Sequence, residues 1–310
     1  DRVLVPIGGG KDSIVTIEML RAAGMNCTLF RLGNHPLIDE AAEVAKLPLI
    51  GVKRQLSPEL FRLNEEGALN GHIPITAYLK FLSLVTSLLY GFDFIAMSSE
   101  RSASEGNVEY KGKMINHQWS KSLEFEQMFQ RYVHHFLTPD IDCFSLLRSM
   151  SELHIAQHFC AYPQYFACAT SCNANWRIVE EKPKERWCGT CPKCAFVFCQ
   201  FAAFLPKKTL LEIFGKNLFE DESLIPLYKQ LLGLEGFKPF ECVGTPEETA
   251  AAMLLAVQQG EMEDTPVMQM FLLEKAENIQ EVERLVRDVL SPSDEHAVSA
   301  RFLMRLDAHS

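Results

Sequence analysis

The chain has 310 residues, 47% hydrophobic and 23% charged, the balance of a soluble globular protein long enough for two domains or for one large and one small. Its 40 acidic and 30 basic residues give a net charge of −10, with 19 acidic and 10 basic from Pro206 onward against 21 and 20 before it. That balance lacks the basic footprint of broad nucleic-acid binding, and the longest clear apolar run, Cys194 to Leu205, is too short to span a bilayer.

In chain order, the β-branched run Val3-Leu4-Val5-Pro6-Ile7 predicts a strand near 3–7. Gly8-Gly9-Gly10-Lys11-Asp12-Ser13 follows and opens a helix near 13–23, patterned by Ile14, Val15, Ile17 and Leu20. Strand, glycine loop and helix N-terminus form the arrangement that binds phosphate. Glycines let the backbone approach the anion, and the free N–H groups of the first turn point at it. Asp12 adds a carboxylate suited to Mg²⁺, and Ser13 a hydroxyl donor. Further strands are expected near 27–32, 49–54 and 92–98, and helices near 38–46 and 76–90. In the last of these, Leu79, Leu82, Leu84, Val85, Leu88 and Leu89 are apolar nearly all round, which places the helix between the sheet and another layer. Alternation of strand and helix implies an α/β fold with a doubly wound, mainly parallel sheet, in which ligands bind beyond the carboxyl ends of the strands. The loops of interest are then 8–13, 32–36 and 98–122.

The third loop is long and polar, a pattern of functional excursions. Glu100 and Asn107 suit metal or phosphate. Arg101, His117 and Lys121 suit an anionic substrate, and His117 or Lys121 would act as a base if its pKa were lowered. Helices follow near 122–137, with the stripe Phe125, Phe129, Tyr132 and Phe136 read as core, and near 145–159. His154 and His158, four apart, show no third ligand nearby and read as a helix-surface pair.

Ten cysteines without a leader sequence point to metal or free thiols and a cytoplasmic setting rather than to a disulfide framework. Cys188, Cys191 and Cys194 make two consecutive C-x-x-C steps, and Cys172 lies sixteen residues before them. With Gly189 permitting a tight turn, the set fits a closed, structural Zn²⁺ site that clips the loop 171–187 onto a helix near 192–205. An iron–sulfur cluster on the same ligands is the alternative. Cys27, Cys143, Cys160, Cys168, Cys199 and Cys242 read as core. Beyond 206 the chain reads as helical throughout, with breaks at Gly215, Gly233, Gly260 and Pro292, so the expected division is a nucleotide domain over 1–205 and an acidic helical region over 206–310. Asp1 stands almost inside the first strand, which suggests a piece of a longer protein with a region upstream.

A Walker A loop needs four residues between its first Gly and Gly-Lys-Ser/Thr, whereas Lys11 is followed by Asp12. A dinucleotide fingerprint needs Gly where Ser13 stands and an acid ending the second strand, and neither is present. The loop instead resembles the PP-loop of the N-type ATP pyrophosphatases, Ser-Gly-Gly-x-Asp-Ser, with Gly8 in place of the first Ser. Together with Glu100-Arg101-Ser102, Glu105-Gly106-Asn107, Asn116-His117-Gln118, Leu146-Leu147-Arg148, Ser151-Glu152-Leu153 and Trp187 to Cys194, it is similar to the ATP-dependent UDP-N-acetylmuramoyl-L-alanyl-L-glutamate epimerases of certain bacteria.

That resemblance implies an adenine-nucleotide α-hydrolase-like fold and adenylation of the terminal glutamate α-carboxylate. Proton removal and return at Cα would follow, with release of AMP and pyrophosphate, in peptidoglycan precursor synthesis. It implies ATP and Mg²⁺ at Gly8, Gly9, Gly10, Lys11, Asp12 and Ser13, with Leu32 and Gly33 near the adenine. Glu100, Arg101, Asn107 and Asn116 would meet a UDP-sugar-peptide substrate, and His117 and Lys121 would serve as base and acid. Two rivals stay open: another PP-loop adenylating ligase or amidotransferase, such as one like 7-cyano-7-deazaguanine synthase, and an ATP-binding regulatory domain without turnover.

Overall fold

The computed structural model describes residues 2–68, 74–177, 182–275 and 279–309. The chain runs through β1 (Arg2–Pro6), α1 (Lys11–Ala22), β2 (Asn26–Leu32), α2 (Pro36–Ala45), β3 (Leu49–Val52), α3 (Pro58–Glu65), α4 (Ile75–Tyr90) and β4 (Phe94–Met97). Next come β5 (Val108–Tyr110), β6 (Lys113–Ile115), α5 (Leu123–Phe136), β7 (Asp142–Ser145), α6 (Glu152–Cys160) and α7 (Pro192–Ala202). The remainder is α8 (Lys207–Phe214), α9 (Ile225–Leu231), α10 (Pro246–Gln259), α11 (Pro266–Lys275), α12 (Ile279–Leu290) and α13 (Ala300–His309). Two compact units emerge: Asp1–Ser99 with His117–Arg148 and Glu295–Ser310, and Glu100–Asn116 with Ser149–Asp294. Position 205, where the charge balance changes, lies inside the second unit, and the last residues belong to the first.

The first unit is an α/β unit on a five-stranded parallel sheet of order β3-β2-β1-β4-β7. The winding runs outward from β1 to β3 on one side and from β4 to β7 on the other, so its direction reverses beside β1. In parallel sheets that reversal opens a crevice at the carboxyl ends of the strands. On one face, α4 and α5 cover Leu4, Phe30, Ile95, Met97 and Cys143 with Leu79, Leu82, Leu84, Phe129 and Val133. On the alternate pleat Val3, Val5, Phe94 and Phe144 are also buried. There Phe302 of α13 lies 5.1 Å from the Phe94 ring and 4.6 Å from the Phe144 ring, and Arg301 pairs with Asp142 at 3.1 Å. Phe302→Ala would open a cavity against the sheet. The expected result is a loss of about 3–5 kcal/mol in urea unfolding, as for other buried Phe→Ala changes.

Several expectations need correction. Residues 142–145 end a helix-free stretch as the strand β7, and the helix expected from 145 starts only at Glu152, where Ser151 caps it by accepting from the His154 N–H at 3.0 Å. The third loop is partly ordered as the antiparallel hairpin β5–β6. Its turn, Lys111-Gly112, takes φ of +50° and +73°, the left-handed pair that hairpin twist favours. α3 also went unforeseen. Helix α4 does not lie between two layers of the first unit. Its buried residues include Thr76, Lys80, Ser83, Thr86 and Ser87, while Val85, Leu88 and Leu89 are exposed. The aromatic stripe of α5 is core only in part, since Phe129 is buried but Tyr132 and Phe136 are exposed.

The second unit is built on α7, which is buried along nearly its whole length and packs against α6, α8, α9 and α10. The tail is mostly helical as expected, with irregular stretches over 233–245 and 291–299. Among the described residues, no helix is long and apolar enough to cross a membrane. Every cysteine is free, with Cys27, Cys143, Cys168 and Cys199 buried as expected but Cys160 and Cys242 only half-buried.

Candidate functional site

In the first unit the glycine loop leaves the carboxyl end of the central strand β1. Gly9 takes φ +77°, and a Cβ there would stand 3.1 Å from the Leu37 carbonyl oxygen, so the loop is closely drawn against the first turn of α2. Gly10 is the N-cap of α1 and, having no side chain, does not cap its first turn. Ser13 Oγ donates to the Gly10 carbonyl at 3.0 Å and accepts from the Gly8 N–H at 3.4 Å, closing the loop on itself. Lys11 is 1% exposed, and its Nζ pairs with Asp12 Oδ1 at 2.5 Å. At the end of β2, Gly33 turns with φ +71° and its N–H donates to the Val52 carbonyl at 2.7 Å. Leu32 is half-buried beside it.

His117 and Lys121 also fall in the first unit, on a short turn whose last three residues, Trp119–Lys121, form a 3-10 helix leading into α5. The Lys121 N–H donates to the Gln118 carbonyl and the Ser122 N–H to the Trp119 carbonyl, at 2.7 and 2.8 Å. Arg148, just past β7, donates from Nη2 to the Lys121 carbonyl at 2.6 Å. That contact places the turn at the carboxyl end of β7. The glycine loop follows β1 and the His117–Lys121 turn is tied to the residue after β7, at the same carboxyl edge of the sheet, with β4 lying between those two strands.

The other expected substrate residues belong to the second unit. Arg101 donates to the Val289 and Ser291 carbonyls at 3.3 and 3.1 Å, where a cation complements the end of α12. Asn107 Nδ2 donates to the Pro239 carbonyl at 3.3 Å, and Asn116 Nδ2 to that of Ala103 at 2.9 Å. Glu100 is buried near Glu248. The sequence reading missed the surrounding group. Lys193 Nζ pairs with Glu152 Oε1 at 2.9 Å, both buried, and Glu248 accepts from the N–H groups of Glu152 and Thr245, each at 2.8 Å. A Glu three residues after Thr245 signals the capping box of α10, but not its reach to α6.

Burial pushes the Glu248 carboxyl from an ordinary 4.5 up to about 7, the charges of Glu152 and Glu100 adding to the rise against two backbone N–H donors. Between those values the folded chain holds a proton here that the unfolded chain has lost. Stability should fall as pH rises from about 4.5 to about 7, by roughly 3 kcal/mol from this group. Urea unfolding of Glu248→Gln across that window should show a correspondingly flatter slope than the parent chain.

Cys172, Cys188, Cys191 and Cys194 converge with all four sulfurs within 4.8 Å of one another. Cys188 Sγ and Cys194 Sγ stand 3.7 Å apart, close to the edge of about 3.8 Å expected of a tetrahedron with 2.3 Å metal–sulfur bonds. Backbone N–H groups of Cys188, Cys191 and Cys194 donate to Cys172, Cys188 and Cys191 sulfurs at 3.4–3.5 Å, an arrangement that favours thiolates. Hydrogen bonds from Cys191 and Cys194 hold the Cys172 thiol down at about 4. Gly189, φ +67°, makes the turn between the first two, and Pro192 starts α7 beneath it. The 171–187 loop includes residues 178–181, which lie outside the described residues.

A parallel α/β sheet with a glycine loop at its winding reversal and a cluster of four cysteines define a two-unit α/β protein. Models of the MurL N-terminal domain and the MurL C-terminal domain match residues 1–146 and 168–286. The chain is similar to the UDP-N-acetyl-alpha-D-muramoyl-L-alanyl-L-glutamate epimerase of Xanthomonas oryzae pv. oryzae, 41% identical over 306 residues that cover 99% of this chain and 68% of that protein. Proteins of the same name from a Micromonospora strain and from Salinispora tropica are 43% and 42% identical over 86% of this chain. The chain belongs to the MurL family. It spans 59% and 58% of the length of the latter two relatives.

Proposed function

We propose that this chain carries the catalytic part of an ATP-dependent epimerase that inverts the terminal L-glutamate of UDP-N-acetylmuramoyl-L-alanyl-L-glutamate. The observation that carries the reading is the shared sheet edge: a phosphate-type loop and a turn bearing His117 and Lys121, one strand apart, in a chain 41% identical to an epimerase so named. The Cα–H beside a carboxylate is a very poor acid, because its loss puts a second negative charge on the same group. Adenylation of that carboxylate by ATP, with pyrophosphate leaving, removes the first charge and makes the proton removable. Gly8, Gly9, Gly10 and Ser13 would hold the phosphates as a PP-loop does, with Lys11 offsetting their charge and Asp12 binding the Mg²⁺ that accompanies ATP. Leu32 and Gly33 would border the adenine. His117 and Lys121 would remove and return the proton from opposite faces, and water would then release AMP. Glu100, Arg101, Asn107 and Asn116 would contribute to recognition of the UDP-sugar-peptide.

The four cysteines would hold Zn²⁺ in a structural role, since a closed tetrahedron leaves no position for water. Sulfurs gathered this tightly suit one central ion better than the corners of an iron–sulfur cluster. The thiol set and the absence of a spanning helix among the described residues are compatible with a cytoplasmic enzyme.

Incubation of the full-length protein with Mg-ATP and the UDP-sugar-dipeptide in D₂O tests the reading. Substrate-dependent pyrophosphate together with deuterated D-glutamate after hydrolysis is expected. Pyrophosphate without exchange would indicate an amide-forming ligase, and ATP binding without pyrophosphate a regulatory module.

A further inference from the structure

Arg148 and Glu126 form a buried ion pair, 1% and 0% exposed, whose nitrogen and oxygen stand 3.0 Å apart. Its hydrogen bonds are unusually distributed. Glu126, in the first turn of α5, accepts from the Ser145 N–H at the end of β7 at 2.9 Å. Arg148, in the turn after β7, reaches back to the Lys121 carbonyl at 2.6 Å with the same nitrogen that meets Glu126. One pair thus ties the end of an outer strand, the start of α5 and the last residue of the His117–Lys121 turn. Hydrogen bonds within residues 118–122 close the turn, and Ser122 caps α5 by accepting from the Phe125 N–H at 3.2 Å, so Lys121 and the anchor that holds its carbonyl are tied to the start of α5.

A second cation is buried beside the pair. Lys80 of α4 is 0% exposed, with Nζ 5.0 and 5.9 Å from the ring centres of Phe125 and Phe129. Burial pushes its pKa down, and Cys143 and Glu126 pull against this while Arg148 adds to it. Buried pairs are poor sources of net stability, since apolar replacements of equal volume often do as well. What an apolar pair cannot do is hold a backbone carbonyl at a fixed place.

We propose that Arg148 and Glu126 are positioning residues, setting the His117–Lys121 turn at the carboxyl edge of the sheet for proton transfer at the substrate α-carbon. This rests on the reading that the turn supplies the acid and base. Arg148→Lys keeps the charge and loses the forked donors, and Glu126→Gln keeps the shape and one acceptor oxygen, so at least one variant should retain the fold. Each is made in the full-length protein and assayed for melting temperature, ATP affinity, pyrophosphate release and deuterium incorporation at Cα across pH.

The expected result is a fall of up to about hundredfold in exchange events per pyrophosphate released, the size a misplacement of about 1 Å produces, with a displaced pH profile. A merely structural pair would lower the melting temperature and leave that ratio and profile alone, and this outcome in both variants overturns the inference. His117→Ala and Lys121→Ala separate the two claims. If both leave exchange intact, the reading of the turn fails; if they abolish it while the Arg148 and Glu126 variants keep the parent ratio, only the positioning role fails.

Discussion

Gly9→Ala should cut substrate-dependent pyrophosphate release about hundredfold while the protein remains folded. At φ +77° an alanine costs about 1–2 kcal/mol in backbone strain, and its Cβ would sit 3.1 Å from a backbone oxygen that cannot rotate away. The loop must therefore shift, carrying the first-turn N–H groups off the positions from which they would meet phosphate. Gly8 provides the comparison, because a Cβ there meets nothing within 4 Å and its φ is not positive. Gly8→Ala should cost far less. Equal, small effects of both on ATP affinity and pyrophosphate release would separate the loop from the nucleotide.

The second large effect concerns the cysteines. Metal analysis of the isolated protein should find a single zinc per chain, absent from Cys172→Ser. Structural zinc sites contribute about 10–16 kcal/mol of apparent binding free energy at neutral pH, more than the whole stability of most domains. Without it the 171–187 loop loses its tie to α7, and limited proteolysis should cut the second unit rapidly. A Cys172→Ser protein with full zinc content and unchanged protease resistance would remove the metal from the account. Cobalt substitution offers an independent check, since tetrahedral thiolate coordination gives strong visible absorption.

What could be read from the sequence follows from how local each signal is. The strand, glycine loop and helix at the start are adjacent in the chain, and β-branching, glycine and helical periodicity each identify one of them. The four cysteines were legible because metal spacing is itself a sequence pattern. β7 was not, because Asp142-Cys143-Phe144-Ser145 is short, does not alternate, and is buried on both faces with an aspartate at its start. Periodicity announced α4 as apolar but could not say which side would face the sheet. The small hydroxyl residues Ser83 and Ser87 went inward with Leu84, while Leu88 and Leu89 went outward. The Lys193–Glu152–Glu248 group joins residues 41 and 96 positions apart, and nothing local marks such a partnership. The Arg148 anchor is similar, with Lys121 27 positions away.

The placement of α13 bears on the order in which the protein can be made. β4 and β7 leave the ribosome well before residues 300–309, and until those residues arrive Phe94 and Phe144 have no Phe302 to meet. A nascent chain paused anywhere in the second unit would carry a sheet whose Phe94–Phe144 patch lacks its Phe302 cover. The 149–294 stretch of the second unit is synthesised entirely within that interval. Of the two units, the one whose strands are made first thus closes this face only after the whole of the 149–294 stretch has been made.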